Sequence, residues 1–375
     1  MQTTAAVLRT IGSGRPYAES RPLELSELEL APPGVGELLV RVEAAGVCHS
    51  DLSVVDGNRV RPVPMALGHE AAGEVIEVGP GVTDVAVGAH VVLVFVPSCG
   101  TCAECGSGTP ALCLPAAAAN GAGELRRGGR RLSDPSAAGS PVHHHLGVSA
   151  FSTLAVVDRG SAVVIGDDVP WATAALFGCA LLTGVGAVHA TAAVRPGESV
   201  GVWGLGGVGL AAVMGAVVSG ASPVVAVDPV PAKRALALSL GATHAVDVDI
   251  DVRDLVLGGV RHAFEAVGRA ATLATAFAAT SRGGTTVSVG LPHPAAVLEL
   301  PALQLVAEAR TLVGSYMGSA VPQRDVPSLV GLWRAGRLPV ERLLTGALPL
   351  GQVNEAMDAL ADGTAVRTVL LPQSA

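Results

Sequence analysis

The six cysteines of this chain fall into two sets with different chemical uses. Cys99, Cys102, Cys105 and Cys113 are crowded into one stretch, spaced C-x2-C-x2-C-x7-C. Four thiolates so close in sequence form the closed tetrahedral set that a structural zinc takes. Cys48 and Cys179 stand far apart, with Gly68-His69-Glu70 between them. Two cysteines and one histidine leave a fourth coordination position open, which a catalytic zinc uses for water or substrate. Two zinc ions per chain are therefore expected, one a scaffold and one at work, and that pairing points to an enzyme. Blander readings remain for the single members. Cys179 alone is also a small buried hydrophobe, His69 alone a satisfied core histidine, and the four-cysteine stretch a zinc ribbon for nucleic acid or protein.

Beside Cys48 runs Cys48-His49-Ser50-Asp51, at a strand end. There the Ser50 hydroxyl is placed to hand on a proton and Asp51 to orient a metal ligand from behind. Further along, Gly204-Leu205-Gly206-Gly207-Val208-Gly209 fits G-x-G-x-x-G between an apolar strand and a helix. Its first glycine permits a tight turn, its second admits a pyrophosphate, and its third packs helix on strand. Asp228 follows 19 residues after Gly209, at the end of the next strand, where a carboxylate holds the adenosine ribose hydroxyls. The same charge repels a 2′-phosphate, so NAD is expected over NADP. The alternative is a glycine-rich buried turn.

The elements needed to position these groups are legible in outline. Residues 1–150 read as short strands (37–44, 73–78 and 89–96 among them) separated by Pro/Gly turns, a mostly β module. Residues 114–141, rich in Ala, Gly, Ser and Arg, show no periodicity and read as a long loop, with Arg126, Arg127, Arg130 and Arg131 on a solvated lobe. After Trp171 the pattern alternates between strand and helix: strands at 199–203, 224–227, 264–268 and 286–290, and a helix at 210–219. Helices at 328–335 and 352–362 and a strand at 367–371 close the chain.

Composition narrows the class. The formal net charge of −8 argues against nucleic acid as a partner. Half of the residues are hydrophobic and 15% are charged, so the chain is not disordered. With 3% aromatics the core must rest on Val, Leu and Ala. The uncharged stretches 169–194 and 199–227 are broken by glycines and do not read as membrane spans. No secretory signal is read in residues 1–16, and thiols reserved for metal suit a reducing cytosol.

On these residues the chain resembles the zinc-containing medium-chain alcohol dehydrogenases over essentially its whole length. The matching pieces are Gly46-Val47-Cys48-His49-Ser50-Asp51, Gly68-His69-Glu70-Ala71-Ala72-Gly73, the cysteine lobe, the glycine turn and the ending Val366-Arg367-Thr368-Val369. The long segment after Cys113, leading into His144-His145-Leu146-Gly147-Val148-Ser149-Ala150-Phe151-Ser152, is similar to the liver-type, formaldehyde-dehydrogenase-like branch. The resemblance implies an α/β chain in two domains. One is a GroES-like, mostly β catalytic domain (1–180 and 317–375), the other a Rossmann domain with a doubly wound parallel sheet (181–316). Substrate is expected in the cleft between them.

It further implies that Cys48, His69 and Cys179 hold the catalytic zinc with Glu70 close behind, and that Ser50 bonds the zinc-bound alcohol. His49 and Arg367 fall where groups contact the pyrophosphate. Thr183, Val208 and the Val289-Gly290 backbone line the nicotinamide, and Phe95 falls on a substrate-pocket position. Lys233, the one lysine of the chain, matches the residue that joins Asp228 at the ribose. The expected reaction is alcohol to aldehyde or ketone and back, with hydride carried by NAD, in a homodimer acting on a small molecule. One departure stands out: Ser53 occupies the position where liver-type relatives often carry a histidine that ends the proton relay. The relay is then expected to end in solvent or through His49. The runner-up is a thiol-adduct formaldehyde dehydrogenase of the same superfamily, with Arg126–Arg131 as candidate carboxylate grip. The triplet His143-His144-His145 alternates in direction on a strand and reads as loop and sheet-edge residues.

Overall fold

The structure is a computed structural model that describes residues 1–374. The chain divides into two compact units: one of Met1–Cys179, Val321–Val330 and the residues from Val340 onward, the other of Ala180–Ala320 and Gly331–Pro339.

The first unit is β-rich. Strands Gln2–Leu8, Leu23–Leu30, Leu132–Asp134, Ser140–His144 and Met65–Ala66 close a small barrel. A second sheet runs in the order Ala162–Ile165, His90–Leu93, Glu70–Val78, Glu37–Gly46, Arg367–Leu371, Leu344–Pro349, with Leu154–Asp158 also paired to Glu37–Gly46. Alternation decides which face is buried: Val40, Val42, Val75, Val91 and Leu93 point into one core with Phe151 and Met357. A smaller cluster around Leu28, Leu39, Leu125 and Val156 fills the barrel.

The segment 114–141 is more ordered than its composition suggests. It holds a helix, Leu114–Ala122, and two paired strands, Leu132–Asp134 and Ser140–His144. Five alanines and a proline at the first turn favour that helix locally, and its low amphipathicity leaves no apolar periodicity to reveal it. Its arginines are engaged: Arg126 and Arg127 reach Asp158, Arg130 reaches Glu124, and Arg131 forks onto Glu37. That corrects the expectation of a solvated lobe, since Arg126, Arg130 and Arg131 are paired and partly buried.

His144 and His145 are fully buried, which also corrects their reading as loop and sheet-edge residues. His144 Nε2 accepts the Arg131 backbone N–H at 3.0 Å. Burial, with Arg131 and Arg130 beside it, pushes His144 down to about 3. The unfolded chain therefore takes up a proton near pH 6.5 that the folded chain refuses, so this contribution to stability is complete above that pH and falls away as pH drops toward 3. Between pH 7 and pH 5 the wild type is expected to lose about 2 kcal/mol more than His144→Gln, measured by denaturant melts. Equal losses would refute the buried neutral imidazole.

The second unit carries six parallel strands: Val200–Trp203, Val224–Val227, His244–Val246, Val260–Glu265, Thr280–Ser288 and Thr311–Gly314. In space they run third, second, first, fourth, fifth, sixth, so the order reverses beside the first strand. That is the doubly wound Rossmann arrangement, whose ligand crevice lies at the carboxyl ends of the strands at the reversal. No single helix among the described residues is long and apolar enough to cross a membrane.

Candidate active site

Register alone brings the first group together. Strands Glu37–Gly46 and Glu70–Val78 pair antiparallel with Gly46 opposite Glu70, so Cys48 and His69 emerge from the same end. Val369 pairs with Gly46, and continuing that register sets Arg367 against Cys48. Ala71 pairs with Leu93, and the same continuation sets Phe95 against His69. Cys179 follows a short turn, Leu176–Gly178, packed on Leu93 so closely that a Cβ on Gly178 would lie 2.2 Å from the Leu93 carbonyl.

The donor atoms of Cys48, His69, Glu70 and Cys179 lie within 4.8 Å of one another, and all four residues are buried. Asp51 sets the histidine. Its Oδ1 accepts from His69 Nδ1 at 3.0 Å and from the Gly68 N–H at 3.2 Å, and its Oδ2 accepts the Cys48 N–H at 3.2 Å. A carboxylate only accepts, so a proton sits on Nδ1 and Nε2 is the nitrogen left for a metal. Nε2 is buried without a hydrogen-bond partner. Gly68 is required here: its φ is +92°, and a Cβ would stand 2.4 Å from the Phe151 nitrogen. Burial works against the Asp51 charge, yet His69 and His145 hold its carboxyl below the usual range.

The two thiols compete for one proton. The hydrogen bond from Cys179 holds Cys48 well below the usual thiol range, with Arg367 and His69 adding to it, and the same contact drives Cys179 well up. A dication in the cluster is the partner that lets both ionise. Two thiolates and one unpaired imidazole nitrogen are the three protein ligands that a catalytic zinc takes. Glu70 turns to Arg367 Nη1 at 3.2 Å, and that guanidinium also donates to the Val47 carbonyl. Phe95 meets the His69 ring edge-on at 5.6 Å between centroids, and Asn120 Nδ2 donates to the Phe95 carbonyl at 2.8 Å. Ser50 is half-buried on the first turn of the helix His49–Val55, while His49 is exposed. Ser53 donates its hydroxyl proton to the Ser50 carbonyl at 2.9 Å.

The four-cysteine lobe closes on itself. Cys99 Sγ and Cys105 Sγ are 4.0 Å apart and Cys102 Sγ and Cys113 Sγ 3.9 Å. Four sulfurs about 2.3 Å from one zinc would be separated by about 3.8 Å. Backbone N–H groups of Thr101 and Cys102 point at Cys99 Sγ, and that of Cys99 at Cys113 Sγ. The Thr101 bonds lower Cys99 to about 6.

In the second unit the glycine turn is built for an anion. Helix Gly207–Val218 starts on Gly206 with no side-chain cap, so its first N–H groups await an outside acceptor. A Cβ on Gly206 would meet nothing within 4 Å, whereas one on Gly209 would fall 1.7 Å from the Gly204 carbonyl. Asp228 braces the turn, Oδ2 accepting from Leu205 N–H at 2.7 Å and Oδ1 from Val230 N–H at 2.8 Å. These residues fit a dinucleotide. The cation tied to the Asp228 backbone is Arg234, which donates to the Asp228 carbonyl at 2.7 Å, while Lys233 lies one position earlier on the same helix. The Glu265 carbonyl accepts from Val289 and Gly290 at 2.9 Å each, fixing that strand end. Thr183 is buried in helix Ala180–Gly186, and Val208 is half-buried.

Sequence reasoning missed Asn120, Arg234 and Glu265, and it read His145 as a loop or sheet-edge residue although the histidine triplet drew notice. Of the other three only Arg234 left a signal, a second cation beside Lys233.

The family described as alcohol dehydrogenase GroES-like domain matches residues 34–167, and that described as zinc-binding dehydrogenase matches residues 207–333. An S-(hydroxymethyl)glutathione dehydrogenase of Escherichia coli O1:K1 / APEC is 36% identical over 363 residues, spanning 94% of this chain and 97% of its own length. Among solved structures, an alcohol dehydrogenase zinc-binding domain protein from Burkholderia ambifaria superposes with a TM-score of 0.93 at 38% identity, covering 100% of both chains. A benzyl alcohol dehydrogenase from Acinetobacter calcoaceticus gives 0.91 at 32% identity, covering 99% of each.

Proposed function

The chain belongs to the NAD-dependent zinc alcohol dehydrogenases, and on that premise we propose that its substrate is an uncharged alcohol with an apolar or aromatic body, interconverted with its aldehyde. The observation that carries this reading is Phe95 standing edge-on to His69, which sets an aromatic ring against a proposed zinc ligand. Benzyl alcohol, named for a similar protein, is of this type.

In this reading Cys48, His69 and Cys179 hold the catalytic zinc and Cys99, Cys102, Cys105 and Cys113 the structural one. Bound there, zinc supplies the Lewis acidity that makes an alcohol proton labile, and NAD supplies the hydride acceptor. Ser50 accepts the alcohol's hydrogen bond and passes the proton outward. Asp51 keeps the His69 proton on Nδ1, and Arg367 neutralises Glu70 behind the metal. Asp228 with Lys233 takes the ribose, Gly204–Gly209 the pyrophosphate with His49 and Arg367, and Thr183, Val208, Val289 and Gly290 the nicotinamide. Residues 1–180 and 317–375 then serve as the catalytic domain and 181–316 as the NAD domain. A cytosolic homodimer completes the proposal, supported by six free thiols and by exposed Val297, Leu303 and Val306 near the sheet-edge strand Thr311–Gly314.

A second reading, oxidation of a formaldehyde–thiol adduct, is favoured by the identity to S-(hydroxymethyl)glutathione dehydrogenase. The ion pairs that engage Arg126–Arg131 weigh against it. The test is NADH formation by zinc-loaded protein over aliphatic and benzylic alcohols, with and without formaldehyde and low-molecular-weight thiols. Thiol-independent turnover of benzylic alcohols is expected, and turnover confined to formaldehyde plus thiol would move the assignment to the second reading.

A further inference from the structure

The Asp51 carboxylate serves a second imidazole that the zinc ligands do not require. His145 Nδ1 stands 3.1 Å from Asp51 Oδ1, the same oxygen that receives His69 Nδ1. The contact does not meet hydrogen-bond geometry, and Nδ1 has no other polar partner. A carboxylate at that separation favours the tautomer that carries the His145 proton on Nδ1 over one that sets a lone pair against it. The rings of His145 and His69 meet edge to face, 5.5 Å between centroids. Both residues are buried, so no water competes for the carboxylate.

The backbone that delivers His145 is unusually constrained. Met65–Ala66 pairs in parallel with the end of Ser140–His144, Ala66 opposite His144, which brings His145 alongside Leu67, two residues before His69. The turn beyond it holds Leu146 at φ +51°, Gly147 at +69° and Ser149 at +53°. Two non-glycine residues in the left-handed region cost the fold on the order of 1 kcal/mol each. The turn is kept in place by Ser149, whose Oγ accepts the His145 N–H at 2.9 Å and donates to the Ala66 carbonyl at 2.8 Å. A strained turn pinned on both sides fixes one side chain, and the side chain it fixes faces Asp51.

We propose that His145 is a positioning residue for the catalytic metal: it clamps the Asp51 carboxylate, and through Asp51 it holds the His69 ring with Nε2 turned toward Cys48 and Cys179. The inference rests on the zinc assignment above. Asp51 then has hydrogen-bond partners in Cys48, Gly68 and His69 and a polar contact with His145 on its remaining side. Removing one leaves a buried carboxylate short of a partner and free to turn away from His69. Outer groups of this kind commonly change metal affinity by about 10- to 100-fold.

The test reads metal retention. Wild type, His145→Phe and His145→Asn are exposed to a chelator, and zinc ions per chain are counted over time by native mass spectrometry. Phenylalanine keeps the ring without a donor, and asparagine restores an N–H near the Nδ1 position. Loss of one zinc is expected about tenfold faster in His145→Phe and within about threefold of wild type in His145→Asn. The second zinc, in the Cys99–Cys113 lobe, should leave at the wild-type rate in both. In an Asp51→Asn background the His145→Phe effect should shrink below about twofold, because the clamp would have nothing to hold.

Equal zinc release in His145→Phe and wild type overturns the clamp. So does equally fast release in His145→Phe and His145→Asn, or a full effect in the Asp51→Asn background, since packing alone would then account for it. A wild type that carries one zinc overturns the site assignment, and the inference falls with it.

Discussion

Replacing Ser50 with alanine is expected to lower kcat for alcohol oxidation by about 10²- to 10⁴-fold, the usual share of a positioned proton-transfer group, while NAD affinity stays close to wild type. Ser50 lies two residues beyond Cys48 on a helix whose first turn is closed by Cys48 and Asp51, so its backbone is held beside the metal-ligand cluster. The neighbouring hydroxyl is no substitute. Ser53 spends its only proton on the Ser50 carbonyl, and relaying through it would break that bond. With no histidine at position 53, proton release depends on solvent or His49. The oxidation rate should therefore remain steeply pH-dependent and rise with added imidazole-type bases. Steady-state kinetics with NAD titrated separately by fluorescence would check both parts. Survival of turnover in Ser50→Ala would remove the relay, and a flat pH profile without response to imidazole would remove the explanation for Ser53.

The second large effect concerns Asp228. Its carboxylate accepts two backbone N–H groups and still has lone pairs for ribose hydroxyls. Asp228→Ala should lower kcat/KM for NAD by about 10²-fold, on the basis of two hydrogen bonds to a charged group at roughly 1.5 kcal/mol each. Part of that loss comes from the turn itself, because Leu205 N–H would lose its acceptor. Asp228→Asn keeps an acceptor for the turn but no charge. It should therefore retain more NAD activity than the alanine variant and use NADP better relative to NAD than wild type does. Measured kcat/KM for the two cofactors separates the effects. An unchanged NAD-to-NADP ratio in both variants would mean that Asp228 braces the turn and does not discriminate at the ribose.

Much of the site was legible because its chemistry is carried by residue type and short spacing. Four cysteines within 15 residues have few uses, and three glycines at fixed offsets before a helix admit a phosphate whatever surrounds them. The parallel sheet was legible from strand–helix alternation, and the strand Arg367–Leu371 and the strand Val224–Val227 came out with the expected bounds. The helix Leu114–Ala122 was not, because its five alanines, leucine, proline and glycine leave Asn120 as its one polar residue, too little to mark the period. The arginines 126–131 looked available because their partners, Asp158 and Glu37, are distant in sequence.

What the sequence offered by itself was therefore the inventory: the cysteines and histidine that converge in space, the glycine turn and the carboxylate beside it. What only the tertiary structure decided was which residues stand against which. Phe95 faces His69 and Arg367 faces Cys48 because antiparallel pairs are set at Ala71–Leu93 and Val369–Gly46. His145 reaches Asp51 because a two-residue parallel pairing sets Ala66 beside His144. A shift of one residue in any of these registers would turn the side chain to the opposite face of its sheet. Register depends on the summed packing of a whole strand against its neighbours, and no local run of residues encodes it.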